Sequence, residues 1–401
     1  MQRKTSNTAV RRVCALLFLL FSFAWLYWFQ GDMLAVAQHG LSDGVTHYDH
    51  FIGAVICTGV LFGLQLLVYA FVRLSRCTHA LTYLPSMLML AFVSSVSFPF
   101  SWGGWPWVGP PVLMLWGWLV VQAKKLPSIV EEDKKGSNNY FSRCVWLNVL
   151  QMVALMLMVA AVSNTKAVDH FKAHAEVALS QGDAEEALRV GCRSSETDES
   201  LTMLRIFALS QKNELAERLF EYPVAGSKDD MLPLAGSMSR LQLLADTVIW
   251  DYFGQRPDSL RTGSRKLLAS GSFTVTQYLD SLECGVRALQ LAALRDSLGL
   301  AQNTTYRDYR LMGYLIDRQL DSFVVRLPRY YAIDESLPRH YQEALMLYQQ
   351  QNDTLLYNAD AEIKQLWKEF CQYDSLYANS RERRVRIDEY LRGTYWYYYF
   401  Q

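Results

Sequence analysis

Five long runs without a charged residue dominate the first 163 positions. They cover about 13–29, 51–72, 80–98, 107–123 and 144–162. Each run has roughly 17–22 residues, which is the length that crosses the hydrocarbon core of a bilayer as a helix. Backbone groups in lipid must hydrogen-bond within their own segment, and this favours helices. The pattern therefore predicts a transmembrane domain at 1–163 with five helices.

After position 163 the apolar residues recur at the helical spacing i, i+3, i+4, i+7. The stripes share this spacing and comprise Leu279, Leu282, Val286, Leu289 and Ala293, then Tyr341, Ala344, Leu345 and Tyr348, then Ile363, Leu366, Trp367 and Phe370. Strand patterns are short and lie inside or beside helical ones. Residues 164–401 are therefore predicted to form a second helical domain, and the fold class is all-α.

Short stretches recur within this second domain. Residues 178–181 (ALSQ) return at 208–211, thirty residues later. A third copy is carried by other positions, since Leu215, Leu219 and Pro223 match Leu320, Val324 and Pro328 at a distance of 105 residues, which is three times 35. The first copy resembles the turn of a tetratricopeptide repeat (TPR), in which Gly182 would allow a tight turn and Ala187 a close approach of the second helix. We predict a TPR-like α-solenoid. An irregular helical bundle is the alternative.

Basic residues lie on only one side of the predicted membrane domain. All eleven precede the first run or lie in the connections 73–79 and 124–143, whereas the loops 30–50 and 99–106 have none. Because Lys and Arg accumulate on the cytoplasmic side, we predict a cytoplasmic N-terminus and an extracytoplasmic second domain. The small-residue motif at 35–37 leaves a cleaved signal peptide as an alternative to an uncleaved first span.

The composition is 51% hydrophobic and 19% charged, with 39 basic and 39 acidic residues. The formal net charge is therefore zero, and it is the sum of +5 for residues 1–163 and −5 for residues 164–401. This charge argues against a nucleic-acid partner. The five runs contain no ionisable Asp, Glu, Lys, Arg or His, which argues against an ion-coupled transporter. No phosphate-binding or dinucleotide-binding motif is present, so we predict no cofactor.

The loop 30–50 carries the densest group of histidines and carboxylates in the chain. If the protein is an enzyme, its catalytic candidates are Asp43, His47, Asp49 and His50, acting as a general base or through a divalent metal. Multi-span membrane glycosyltransferases use acidic residues in their first outer loop, and this chain shares that layout but not their carboxylate motif. The alternative is an interfacial loop with a turn at 43–44. We predict no metal site.

Cysteine usage predicts no disulfide framework. Four cysteines lie in or beside the predicted spans, where a thiol behaves as a small apolar residue: Cys14, Cys57, Cys77 and Cys144. Three more lie in the second domain, where one bridge plus a free thiol is the alternative: Cys192, Cys284 and Cys371.

The chain ends in six consecutive aromatic residues at 395–400. A solenoid needs a terminal cap, so the tail is predicted to pack over the last helix. Docking on the membrane interface or on a partner are the alternatives. For a partner, the binding residues would be Tyr395, Trp396, Tyr397 and Tyr398.

Residues 339–348 (RHYQEALMLY) and 393–398 (GTYWYY) resemble signature stretches of a family of uncharacterised bacterial multi-span membrane proteins with a C-terminal helical domain. The resemblance implies a bacterial inner membrane and a periplasmic domain, and it implies no reaction. Together with the patterns above, it predicts an inner-membrane protein that presents a periplasmic TPR-like domain for protein binding or complex assembly. The alternative function is an enzyme, or enzyme subunit, that acts on a lipid-linked substrate at the outer leaflet.

Overall fold

The described parts of the apolar runs and two of the three amphipathic stripes form helices. A computed structural model describes residues 3–42, 45–72, 74, 76–96, 105–125, 143–232, 305–333, 336–352, 357–376 and 391–400. Within these ranges the protein has fifteen α-helices and no β-strand, which confirms the all-α fold class. The chain divides into two compact units, Met1–Ala173 and His174–Gln401.

Six α-helices belong wholly to the first unit. They are α1 (Arg3–Ala24), α2 (Gly31–Leu41), α3 (His50–Val72), α4 (Leu84–Val93), α5 (Trp105–Lys125) and α6 (Arg143–Val162). A π-helix, Trp25–Phe29, extends α1, and a 3-10 helix, Arg76–Tyr83, leads into α4.

Three helices among the described residues are long and apolar enough to cross a membrane. They are Ala9–Phe29, His50–Val72 and Arg143–Val162, and they correspond to the first, second and fifth predicted spans. Length and composition alone therefore support three of the five predicted spans.

The other two predicted spans form helices of a different kind. The third span becomes the shorter apolar helix Cys77–Val93. Its first part is 3-10, and Pro85 lies in the first turn of α4, where a missing backbone N–H is tolerated. The fourth span lies within α5, which contains Pro110 and Pro111. Proline, glycine and tryptophan lower the mean hydropathy of α5, so this helix is less apolar than the other three.

Buried stripes hold the first unit together. On α3 the buried residues recur every three to four positions: Ala54, Thr58, Leu61, Gln65 and Val68. The helices α1 and α3 run antiparallel, since Phe23 packs edge-on against Phe51 at 5.8 Å and Phe18 lies 6.4 Å from Phe62. The opposite faces of these helices are exposed and apolar, as expected for surfaces in lipid.

Asn164, which follows α6, hydrogen-bonds to the segment after α4 and to the start of the next helix. Its backbone N–H donates to the Ser94 carbonyl at 2.9 Å, and its side-chain amide donates to the Val96 carbonyl at 3.1 Å and to Asp169 at 3.0 Å. Asp169 also pairs with Lys172 at 2.9 Å. Burial raises the pKa of Asp169, but the hydrogen bonds from Asn164 and Lys172 and the lysine charges outweigh it, so the pKa lies below its usual 3.8.

The expectation that Cys77 and Cys144 are merely small apolar residues is wrong, because the structure joins them in a disulfide. The start of α6 packs against the 3-10 helix, where Asn148 accepts a hydrogen bond from the Ala80 N–H at 2.8 Å. This contact brings the two cysteine Cα atoms to 4.7 Å, within the range that a disulfide spans. Spacing along the sequence could not reveal a pair that is 67 residues apart.

The remaining helices are α7 (Ala167–Ser180), which contains the division between the units, α8 (Ala184–Arg189), α9 (Glu199–Gln211), α10 (Leu215–Arg218), α11 (Thr305–Ile316), α12 (Leu320–Arg326), α13 (Arg339–Gln351), α14 (Ala361–Leu376) and α15 (Tyr395–Phe400). The stripe at 279–293 lies outside the described residues. The stripes on α13 and α14 bury Tyr341, Ala344, Ile363 and Phe370.

The predicted repeats form three helical hairpins with the same turn: α7–α8, α9–α10 and α11–α12. In each turn one residue adopts the left-handed conformation, namely Gly182 (φ 79°), Asn213 (φ 58°) and Arg318 (φ 56°). The N–H of the following residue then donates to the carbonyl five positions earlier, at 2.9, 2.9 and 2.8 Å. This is the Schellman closure of a helix, and the prediction of a tight turn at Gly182 is confirmed.

The second and third hairpins are neighbours in space. Helix α10 packs against α11 and α13, although residues 233–304 separate the two hairpins in the sequence. The Lys228 N–H donates to Asp317 at 3.0 Å and adds to this contact. A separation of 105 residues therefore does not correspond to three repeat lengths along a stack.

Candidate functional site

The loop before α3 folds back onto α2. The His50 Nε2 lies 3.5 Å from the Asp32 Oδ1, with both side chains partly exposed. Gly31 makes this approach possible, since a Cβ there would lie 3.2 Å from the His50 ring. At 3.5 Å the contact is longer than a good hydrogen bond, so it is an electrostatic pair when His50 is protonated.

Asp49 has a clear structural role. Its carboxylate accepts a hydrogen bond from the Ile52 N–H at 2.8 Å, which satisfies one of the free donors at the start of α3. Its carbonyl accepts from the Gly53 N–H at 2.8 Å. Asp43, the other candidate carboxylate, lies outside the described residues. The structure therefore accounts for Asp49 as a helix cap, without a substrate.

His47 faces His39 across the loop, with ring centroids 6.4 Å apart. Burial, and then the charge of His47, lower the pKa of His39. Burial also raises the pKa of Tyr48 to about 12, with smaller contributions from Cys57 and Asp49. Among the described residues no group of three or more His, Cys, Asp or Glu side chains is placed to hold a metal ion.

This loop thus brings Asp32 and His50 together and places His47 beside His39, but it does not join His47, Asp49 and His50 into one site. Chemically, the Asp32–His50 pair places an imidazole beside a carboxylate at the edge of the first unit, at a distance longer than proton transfer requires. Asp32 belongs to the same group in the loop 30–50, but the sequence did not single it out as a catalytic candidate, because only the close approach of His50 to Gly31 makes it a neighbour of His50.

The aromatic tail forms α15 and docks on α13. Tyr395 and Trp396 are fully buried. The indole N–H of Trp396 donates to the Glu343 carbonyl at 2.7 Å, and its ring packs edge-on against Trp367 at 4.8 Å. Phe370 stacks on Phe400 at 5.6 Å. The tail therefore packs over the last long helix, as a cap would.

Glu343 is the hub of this contact, and its side chain is completely buried. One carboxylate oxygen accepts from the Tyr395 N–H at 2.6 Å and from His340 Nδ1 at 3.0 Å, while the other accepts from Arg339 Nε at 3.0 Å. His340 Nε2 in turn accepts from the Phe220 N–H at 3.3 Å. These two bonds require the neutral tautomer of His340 with its proton on Nδ1.

The outer part of the tail is only half-buried. Tyr398 donates its hydroxyl to the Ile316 carbonyl at 2.7 Å, and Arg318 donates to the Tyr398 carbonyl at 3.0 Å. Arg318 also lies over the Tyr398 ring at 5.1 Å. Of the four predicted binding residues, Tyr397 and Tyr398 keep exposed surface, whereas Tyr395 and Trp396 face the core.

The structure joins the two C-terminal stretches that the sequence singled out, since Glu343 of the first binds Tyr395 of the second. Residues 299–401 are similar to a family of unknown function, DUF6057. The matched region contains both stretches and the whole Glu343 network except Phe220. Comparison with curated proteins gave no match, and comparison with solved structures gave none.

Proposed function

We propose that this chain is a bacterial inner-membrane protein that uses its second unit to bind a protein partner in the periplasm. The observation that carries the proposal is the set of three hairpins with one shared turn geometry, at Gly182, Asn213 and Arg318. Repeated hairpins of this kind stack into arrays whose extended surfaces bind peptides and proteins.

The order of contacts supports a stacked array. Helix α8 packs on α9, α9 on α10, α10 on α11, α11 on α12, α12 on α13 and α13 on α14. Each helix thus meets its next described neighbour, as in a solenoid of TPR-like hairpins. The docked tail contacts α14, the last helix of this series, and it also contacts Phe220 and the Ile316 carbonyl at the end of α11. In this proposal the tail holds α14 against earlier helices of the series, in addition to capping it.

The distribution of charge supports the orientation. We propose that the helix Cys77–Val93 and α5 also cross the bilayer, so that five spans place the N-terminus inside and the second unit outside. The eleven basic residues of the first 163 positions then all lie on the cytoplasmic face. Packing against the three longer helices would allow two less regular helices to be accommodated.

The exposed thiol of Cys192 tests this orientation. In a chain that carries Cys284→Ser, a membrane-impermeant maleimide added to intact spheroplasts should label the protein, and the further change Cys192→Ser should remove most of that label. Labelling of Cys192 only after the membrane is opened would contradict a periplasmic second unit.

Val325 offers a probe for the partner, because this large aliphatic side chain on α12 is 79% exposed. A photo-crosslinking amino acid at this position, in the full chain in native membranes, should capture a discrete partner. Val325→Asp should reduce co-purification of that partner, whereas Asp321→Asn, an exposed change on the same helix, should not. Equal capture by both variants would contradict binding through this surface.

The contact between Asp32 and His50 favours a second candidate, an enzyme for a lipid-linked substrate at the outer leaflet. His50 would act as the base and Asp32 would orient it. In complementation of a deletion strain, His50→Gln and Asp43→Asn should then abolish function at normal protein levels. Full complementation by both variants would favour the binding role.

A further inference from the structure

The end of the first unit opposite the His and Asp loop carries an unusual arginine. The Arg11 guanidinium lies over the ring of Tyr69 at 4.7 Å. Arg11 is near the start of the apolar span Ala9–Phe29, and Tyr69 is in the last turn of α3. Arg11 itself is exposed and Tyr69 is half-buried. A guanidinium stacked on a ring keeps the N–H groups along its edge available to an anion.

A series of rings holds Tyr69 in place beneath this arginine. His79 packs edge-on against Tyr69 at 5.1 Å and against Tyr83 at 5.8 Å, and Tyr83 lies 5.1 Å from Phe18. His79, Tyr83 and Phe18 are all buried. The aromatic base under Arg11 is therefore rigid, which reduces the entropy lost when the guanidinium binds a ligand.

The charges around Arg11 are all of one sign in the part of the chain that the structure describes. Three further basic residues are exposed: Arg12 follows Arg11 on α1, Lys124 lies at the end of α5, and Arg143 is the first residue of α6. We call these three with Arg11 the basic end. The described carboxylates of this unit are all at the other end, where they contact His50, Ile52 and Lys172: Asp32, Asp49 and Asp169. No described carboxylate is available at the basic end to pair with Arg11.

We propose that Arg11, held on Tyr69, binds the phosphate of an anionic phospholipid headgroup in the leaflet at the basic end. Arginine donates two parallel hydrogen bonds to a phosphate group, and an arginine at the rim of a membrane helix meets that group at headgroup depth. The proposal rests on the membrane insertion of the first unit, but it does not depend on any partner of the second unit.

The matched control is Arg12, which has the same charge and exposure but points about 100° away around the same helix. The full chain, purified in a non-ionic detergent, would be titrated with phosphatidylglycerol or phosphatidylcholine and analysed by native mass spectrometry. The wild type should bind phosphatidylglycerol more tightly than phosphatidylcholine. Arg11→Gln should weaken the binding of phosphatidylglycerol about tenfold. Arg12→Gln should change it less than about threefold.

Tyr69→Leu provides a second variant that leaves every charge in place, and it should also weaken phosphatidylglycerol binding. Equal weakening by Arg11→Gln and Arg12→Gln would overturn the proposal, because diffuse attraction would then suffice. Displacement of the lipid by millimolar inorganic phosphate would also overturn it in favour of a free anion. A chain absent from the membrane fraction would contradict the proposed function instead, whereas an integral chain that binds both lipids equally contradicts only this site.

Discussion

Glu343→Gln tests whether a single buried carboxylate holds the C-terminal tail. The substitution keeps the shape of the side chain but removes its charge and one acceptor. Glutamate accepts hydrogen bonds at both oxygens here, from Tyr395 and His340 at one and from Arg339 at the other. Whichever way the new amide is oriented, its NH2 group must face a donor.

The magnitude follows from the contacts that are lost. Replacing a buried charged acceptor that receives hydrogen bonds from an arginine and a backbone N–H costs about 3 kcal/mol. The tail also retains the packing of Trp396 on Trp367, so the rest of the second unit should stay folded. A loss of about 3 kcal/mol should raise the population of the undocked tail about 150-fold.

Hydrogen–deuterium exchange on the full chain in detergent measures this directly. The Tyr395 N–H is itself bonded to Glu343, so peptides that cover 391–400 report the undocking. In Glu343→Gln these amides should exchange roughly 150-fold faster, provided that the tail redocks faster than an exposed amide exchanges its hydrogen. Amides of α9, far from the tail in the sequence, should keep their wild-type rates.

Glu362→Gln is the control, since this glutamate is exposed on α14. It makes the same chemical change in the same region, and it should leave exchange in 391–400 unaltered. If the Glu343→Gln rates stay within about threefold of the control, the aromatic contacts alone hold the tail and the reasoning from hydrogen bonds is wrong.

Three further changes test other parts of the molecule. Gly182→Ala should destabilise the second unit by about 1 kcal/mol in urea titrations, since φ is positive there; Gly182→Asn should cost less, because Asn213 adopts the same conformation in the next hairpin. In chain purified under oxidising conditions, a protease site engineered within 126–142 should yield two fragments that stay linked by Cys77 and Cys144 on a non-reducing gel and separate with reductant. Oxidising conditions are needed because the proposed orientation places both cysteines on the cytoplasmic face, where thiols stay reduced. Separation of the fragments without reductant would then disprove the bridge. Because the pKa of Asp169 is lowered in the folded protein, its stabilising effect should be present above pH 3.8 and lost as the pH falls through the lowered pKa. Asp169→Asn should therefore speed amide exchange in 164–173 at pH 7 but match the wild type in strong acid.

Much of the helical architecture could be predicted from local pattern. The runs that became α1, α3 and α6 are long and apolar, and such patterns depend on few distant contacts. The third and fourth runs were harder, because the start of one helix is 3-10 and Pro110 and Pro111 make the other less apolar. Counting uncharged residues does not detect either effect.

The repeats show the same limit. Glycine at position 182 predicts a left-handed turn from its lack of a Cβ. Arginine at position 318 does not predict such a turn, yet the closure of α11 on α12 gives this residue a positive φ as well. The tail contact with Glu343 was beyond prediction for another reason: the two residues are 52 positions apart, and no local periodicity encodes their pairing.

The bond between Cys77 and Cys144 has a consequence for how the chain is assembled. It closes a covalent ring that contains α4 and α5, and α6 begins at its final residues. A ribosome-bound chain cannot close this ring until Cys144 has emerged and the start of α6 has met the 3-10 helix. Once the ring is closed, α5 is covalently tethered at both of its ends, so it can move away from its neighbours only as far as its two connecting segments reach. The cross-linked form therefore marks chains in which the start of α6 has already met the 3-10 helix.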